Sequence, residues 1–309
     1  MAILLDASPR RDRTCRVPLV IAAATGAAAV MLYAPVIARL ARQWTEDADA
    51  GYGAIVAGAA AWLLFQRRSR VRSLPMSGST AGLLVVAAAC VSYVAGTLAA
   101  DLFLLRVSLP LMLTGALLYV AGPAHVRALA APLALVCLAI PPPSALVTEI
   151  TMPLQLMASQ CAEAILSGIG VPVSREGNVL TLSYITLQVA EACNGMRSLL
   201  TLTAVVAVYA AMRELPFRRF AVLAAAVVPV ALVGNGLRVA VTALLAARLG
   251  AEAARGPVHE VTGWAAFVLM CLALYGSESI TTRVRVNPDP GQNQLRPGSE
   301  TGQSRLRVG

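Results

Sequence analysis

Apolar runs recur along the chain at roughly 17–40, 51–66, 79–100, 102–121, 127–140, 192–212, 220–247 and 258–280, and the stretches between them hold most of the charge. About 20 apolar residues cross a hydrocarbon layer as a helix. The spacing therefore predicts an all-α integral membrane protein with about eight transmembrane helices. The first run follows Arg10, Arg11, Arg13 and Arg16 and resembles a signal peptide. It is long enough to span and is followed by more spans, so it reads as an uncleaved first helix.

The stretch from Pro141 to Glu191 breaks this pattern. Pro141, Pro142 and Pro143 stop the fifth span, because a proline run cannot continue helical hydrogen bonding. From 149 to 169, Gln155, Ser159, Glu163 and Ser167 recur every fourth residue among apolar neighbours. That draws one polar stripe on a short amphipathic helix, which lies in the interface or packs on the bundle. Val171 and Val173 precede the turn residues Glu176, Gly177 and Asn178. Ile185, Leu187 and Val189 then alternate with Thr186 and Gln188, and the pattern predicts a β-hairpin before the sixth span.

Composition agrees with a membrane protein. Residues of the AVILMFWYC class make up 58% of the 309 residues and charged residues only 13%, against roughly 25% charged in soluble proteins. The net charge is +9 and every basic residue is Arg. In so apolar a chain this excess reads as topology rather than nucleic-acid binding. Arginines cluster in the N-terminal tail, at 67–72, at Arg127, at 213–219 and after 282, all on one side if the spans alternate. By the positive-inside rule that side is cytoplasmic, with both termini inside. The loop with Glu46, Asp47 and Asp49 and the 141–191 segment fall outside. Three regions follow: a cytoplasmic tail at 1–16, a polytopic domain at 17–280, and a polar tail at 281–309 with too little apolar surface to fold. Six Cys without a CxxC pair and only two His argue against a disulfide framework or a metal site, and no cofactor is implied.

Three residues on successive spans carry candidate chemistry. Cys193 sits at the outer mouth of the sixth span. A helix start and the nearby Arg197 both favour the thiolate, which is the nucleophilic form. A membrane cysteine is otherwise a packing residue, the reading kept for Cys15, Cys90, Cys137 and Cys271, while Cys161 shares the outer segment with Cys193. Arg238 lies in the seventh span after Gly234, Asn235 and Gly236. Inserting it costs roughly 3 kcal/mol, so it either snorkels to the outer headgroups or faces a built polar site. Asn235, on the same helix face at i, i+3, fits the second reading. His259, beside Glu260, opens the eighth span and is either an exposed polar residue or a proton carrier. His125 reads as a surface residue of an inner loop. A thiol, an imidazole and a guanidinium at one leaflet make an acyl-transfer set.

These residues resemble the exosortase and archaeosortase family of integral-membrane cysteine transpeptidases. The resemblance runs from about Pro141 to Trp264. It rests on Gly177 and Asn178, on the string Glu191, Ala192, Cys193, Asn194, Gly195, Met196, Arg197, on Asn235 to Arg238, and on His259 with Gly263 and Trp264. The first half agrees in Trp44, Asp47 and Tyr52. The resemblance implies that Cys193 attacks a peptide bond in a C-terminal sorting signal, that His259 moves the proton and that Arg238 steadies the oxyanion, with Arg197, Asn194, Glu191, Asn235 and Glu260 in support. Substrates would carry a short motif such as Pro-Glu-Pro, one transmembrane helix and an Arg-rich end. The acceptor would be an amine on a lipid or glycan, and the setting a bacterial inner membrane with an active site facing the periplasm and a link to exopolysaccharide export. His259 favours the bacterial branch. Asn194 stands where many relatives have Ser, and Gly53 and Ala54 where many have Ser and His. At i+4 from Cys193, Arg197 is either an interfacial anchor or a partner for an acidic residue of the sorting motif. The rival readings are a transporter that holds an anionic substrate on Arg238 and Arg197, and a non-catalytic subunit of polysaccharide export.

Overall fold

A computed structural model of the chain describes residues 16–182, 185–189, 195–250 and 257–286, with the backbone alone at 16–25, 257–259 and 279–286. Its elements are α1 (Arg16–Glu46), α2 (Tyr52–Arg72), α3 (Ala81–Leu98), α4 (Leu102–Val120), α5 (Pro123–Ala128), α6 (Ala130–Leu138), α7 (Ser144–Gly168), β1 (Val173–Glu176), β2 (Val179–Leu182), β3 (Ile185–Gln188), α8 (Met196–Met212), α9 (Phe217–Leu249) and α10 (Pro257–Val286). Each apolar run coincides with helix, but the helices do not all match the expected spans. Among the described residues, four are long and apolar enough to cross a bilayer: Ala81–Leu98, Leu102–Val120, Phe217–Leu249 and the Glu260–Glu278 part of α10. The count of eight spans is thus not reproduced on length and apolarity.

The fifth run shows why. It breaks at Leu129, whose φ of −102° and ψ of 11° leave the helical region, into the six-residue α5 and the nine-residue α6. At 1.5 Å per residue, α6 rises only about 14 Å. α6 nonetheless runs antiparallel to α2. The Arg67 guanidinium donates to the carbonyl of Ala128 at 3.0 Å, and at the far end of α2 the Trp44 indole donates to the carbonyl of Ala139 at 2.9 Å. Gly53 allows this, since a Cβ there would strike the Trp44 ring, 2.6 Å from its Cδ1, and lie 2.7 Å from the Ala139 oxygen. α10 continues to Val286, beyond the boundary expected at 280.

The bundle has two distinct ends. At the first, arginine-rich end, Arg67 pairs with Glu214 at 3.0 Å and bonds to Ala128, which gathers the loops at 67–72, 128 and 213–219. The second, acidic end collects Trp44, Asp49, Ala139 and Arg197. The loops that the arginine count assigns to one side therefore do meet. Leu84, Leu98, Ile55 and Val261 are each more than 60% exposed on the helix surfaces, a pattern that a lipid-facing surface requires and a water-facing one avoids.

The predicted hairpin is a three-stranded antiparallel sheet in the order β1-β2-β3, with Glu176 opposite Val179 and Val179 opposite Gln188. The added strand, β2, buries Leu180 and Leu182 on one side. The expected alternation of Ile185 and Leu187 with Thr186 and Gln188 is present in β3. The polar stripe of α7 faces inward: Gln155 and Ser159 are buried. Ser159 donates to the carbonyl of Gly177 at 3.1 Å, Asn178 donates to the Gln155 amide oxygen at 3.2 Å, and Arg175 pairs with Glu163 at 2.7 Å. Polar groups buried away from water need such partners, and here they clamp the sheet onto α7. Ala158, Ala162 and Leu166 then join Val239, Ala240 and Ala243 of α9 in one apolar cluster. His125 is buried, with 5% exposure, rather than on the surface.

Candidate active site

The centre of the site is the string Gly234-Asn235-Gly236 on α9, whose successive residues face three different neighbours. A Cβ on Gly234 would strike the side chain of Met270 on α10, and one on Gly236 would lie 2.5 Å from Cβ and Sγ of Cys161 on α7. Asn235, between them, is 1% exposed. Its side chain lies against Gly195, where a Cβ would sit 3.2 Å from Nδ2. Small residues let helices approach this closely in a bilayer.

One turn further along α9, the Arg238 guanidinium rests on Gly263 of α10. A Cβ at 263 would lie 3.2 Å from Nη2, 3.3 Å from Cζ and 3.4 Å from Nε. Arg238 is only partly buried, but its planar group is packed between helices, which fits a built polar site better than snorkelling. Gly263 is four residues after His259, so the two positions share one face of α10, which begins at Pro257. The His259 side chain lies outside the described residues, as do Glu191, Cys193 and Asn194. The described frame nevertheless brings together the position two residues after Cys193 and the position one turn after His259, on the same two turns of α9.

α8 begins at Met196, and Gly195 before it has φ +83°, a left-handed conformation that a right-handed helix cannot pass through. The helix that carries Arg197 therefore starts only after Gly195, and Cys193 lies outside the described residues. Arg197 donates from Nε to Asp49 Oδ1 at 2.7 Å, with both side chains about half exposed. From the sequence alone Asp49 is only one member of an acidic loop. The signal available was that this loop and Arg197 lie on the same predicted side. Glu260 is exposed in the first turn of α10, where a carboxylate offsets the helix dipole. Among the described residues it forms no ion pair. Burial pushes the Cys161 thiol above its ordinary pKa, which with its contact to Gly236 makes it a packing residue.

Residues 44–276 match the family model for transmembrane exosortase. No curated protein and no solved structure matches the chain. The match takes in α2 to α9 and α10 as far as Gly276, and so contains the whole Asn235, Arg238 and Gly263 arrangement. This multi-pass membrane protein belongs to the transmembrane exosortase family.

Proposed function

We propose that the protein is a cysteine transpeptidase that cleaves C-terminal sorting signals at the acidic end of the bundle, which faces the periplasm of a bacterial inner membrane. The Cys193 thiolate attacks the carbonyl carbon of the scissile peptide bond. Arg238 donates to the oxyanion that forms, a role for which preorganised donors are worth about 10²–10³ in rate. His259 gives a proton to the departing amine as the C–N bond breaks, leaving a thioester on Cys193. An amine of a lipid or glycan acceptor then attacks the thioester carbonyl, loses a proton to His259 and releases the thiolate. Asn235 fixes the entry to α8 through Gly195, while Asn194, Glu191, Arg197 and Glu260 support substrate binding and the nucleophile and base. The substrate is an exported protein ending in a Pro-Glu-Pro-like motif, a transmembrane helix and an Arg-rich end, and the sorting accompanies exopolysaccharide export.

The observation that carries this reading is the seating of the Arg238 guanidinium on Gly263, one turn from His259, beside the Asn235 contact to Gly195. The test follows C-terminal processing of a sorting-signal reporter in cells that carry Cys193→Ala. The expected result is uncleaved reporter; complete processing in that strain would refute the nucleophile assignment.

A further inference from the structure

A cavity of about 570 Å³ opens at the acidic end beside the start of α8. Its wall includes Asp47, Asp49, Asp101, Arg106, Pro141 and Met196. The volume is within the range of pockets that bind small ligands. Met196 follows Cys193 by three positions in the sequence.

Its charged groups are unequally engaged. Asp101 caps α4, accepting from the amides of Phe103 at 2.8 Å and Leu104 at 2.9 Å. Asp47 accepts from the amide of Asp49 at 2.9 Å, and Asp49 is paired with Arg197. Arg106 is only 8% exposed. Among the described residues it has neither a hydrogen-bond partner nor an ion pair. A guanidinium carries five donors and keeps its charge at any ordinary pH, and a buried charge is normally paired. Arg106 also lies about 6 Å from the start of α4, within a helix apolar enough to span, and such a residue is by default functional.

We propose that Arg106 is a specificity-determining residue: it binds the carboxylate of an acidic side chain in the peptide that Cys193 attacks. The inference deepens the transpeptidase reading and rests on it. A single carboxylate suits a cavity with one unengaged cation and three carboxylates in its wall better than a phosphate, whose extra charge those carboxylates repel. The planar fork binds a carboxylate through two parallel hydrogen bonds, so the neutral amide twin should bind less well. Arg197, already held by Asp49, is not needed for this contact.

The test uses the full-length Cys193→Ala chain in detergent, where binding is read without cleavage. The probes are a short photo-crosslinking peptide containing Pro-Glu-Pro and its Pro-Gln-Pro twin. The Glu peptide should bind about tenfold more tightly than the Gln peptide. That ratio should fall to near one in Arg106→Gln and partly return in Arg106→Lys. In the chain that keeps Arg106, the Glu peptide alone should protect Arg106 from phenylglyoxal, a readout independent of any variant's folding. Equal affinity for the two peptides, an unchanged ratio in Arg106→Gln, or protection by phosphatidylglycerol vesicles and not by the Glu peptide would each overturn the proposal. Because no cleavage is measured, failure of Cys193 as the nucleophile would leave the Glu preference intact, so the two ideas fail separately.

Discussion

Arginines at the two ends of the bundle are used differently. At the arginine-rich end, Arg70 has a 69% exposed side chain at 4.0 Å from Glu214, and Arg67 pairs with the same exposed carboxylate. At the acidic end, Arg106 is buried and Arg238 is packed on Gly263. An exposed arginine at a membrane surface needs only water and headgroups, so its position records topology. One enclosed between helices must be compensated locally, so its position records chemistry. The same residue type thus carries two kinds of information, as Arg70 and Arg106 show, although Arg67, with a 15% exposed side chain, and Arg197, with a 52% exposed one, cross that division.

The contrast can be broken experimentally. The largest expected effect is at Arg238. Arg238→Ala should lower reporter processing about 10²–10³-fold while the protein still inserts and accumulates, and Arg238→Lys should recover only part of it because the planar group is lost. Normal processing in Arg238→Ala would make the residue an anchor like those at the other end. Next comes Gly263→Ala, whose methyl would move the guanidinium by a few tenths of an ångström. A fall of about tenfold in turnover is expected, since misplacement by 1 Å can cost 10²-fold, and it should appear in kcat rather than in binding of the Glu peptide. Gly195→Ala should reduce stability by about 1–2 kcal/mol through its left-handed backbone, read as a lower thermal midpoint. The smallest effect is at the arginine-rich end. Arg70→Gln should leave processing unchanged and stability within about 1 kcal/mol, and a strong processing defect there would erase the distinction between the ends.

The sequence made the helices legible because apolar runs bounded by charge leave the chain few alternatives. It also showed which loops meet, since arginine placement reflects sidedness. The stripe of Gln155 and Ser159 was visible as a period but not as a buried surface, because its partners Gly177 and Asn178 reach it only through tertiary contact. β2 is not legible because Val179–Leu182 is a short strand directly after the turn, and the alternation of β3 alone satisfies the pattern of a return strand. The break at Leu129 was missed because it falls inside a continuous apolar run. Of the site, the string from Gly234 to Arg238 could be named from the sequence, whereas the seat at Gly263 could not, since a glycine's role as empty space depends on what fills it. Arg106 left one faint mark, a lone charge in the apolar run 102–121, which counting clustered arginines passes over.

The three-way notch at Gly234, Asn235 and Gly236 has a consequence for how the molecule comes into being. Two of the surfaces it receives, on α7 and at the entry to α8, precede α9 in the chain, but the third belongs to α10. During synthesis, then, α9 enters the membrane with one flank still open and Arg238 without its seat. The notch and the Arg238 seat are therefore complete only once α10 has been threaded beside α9.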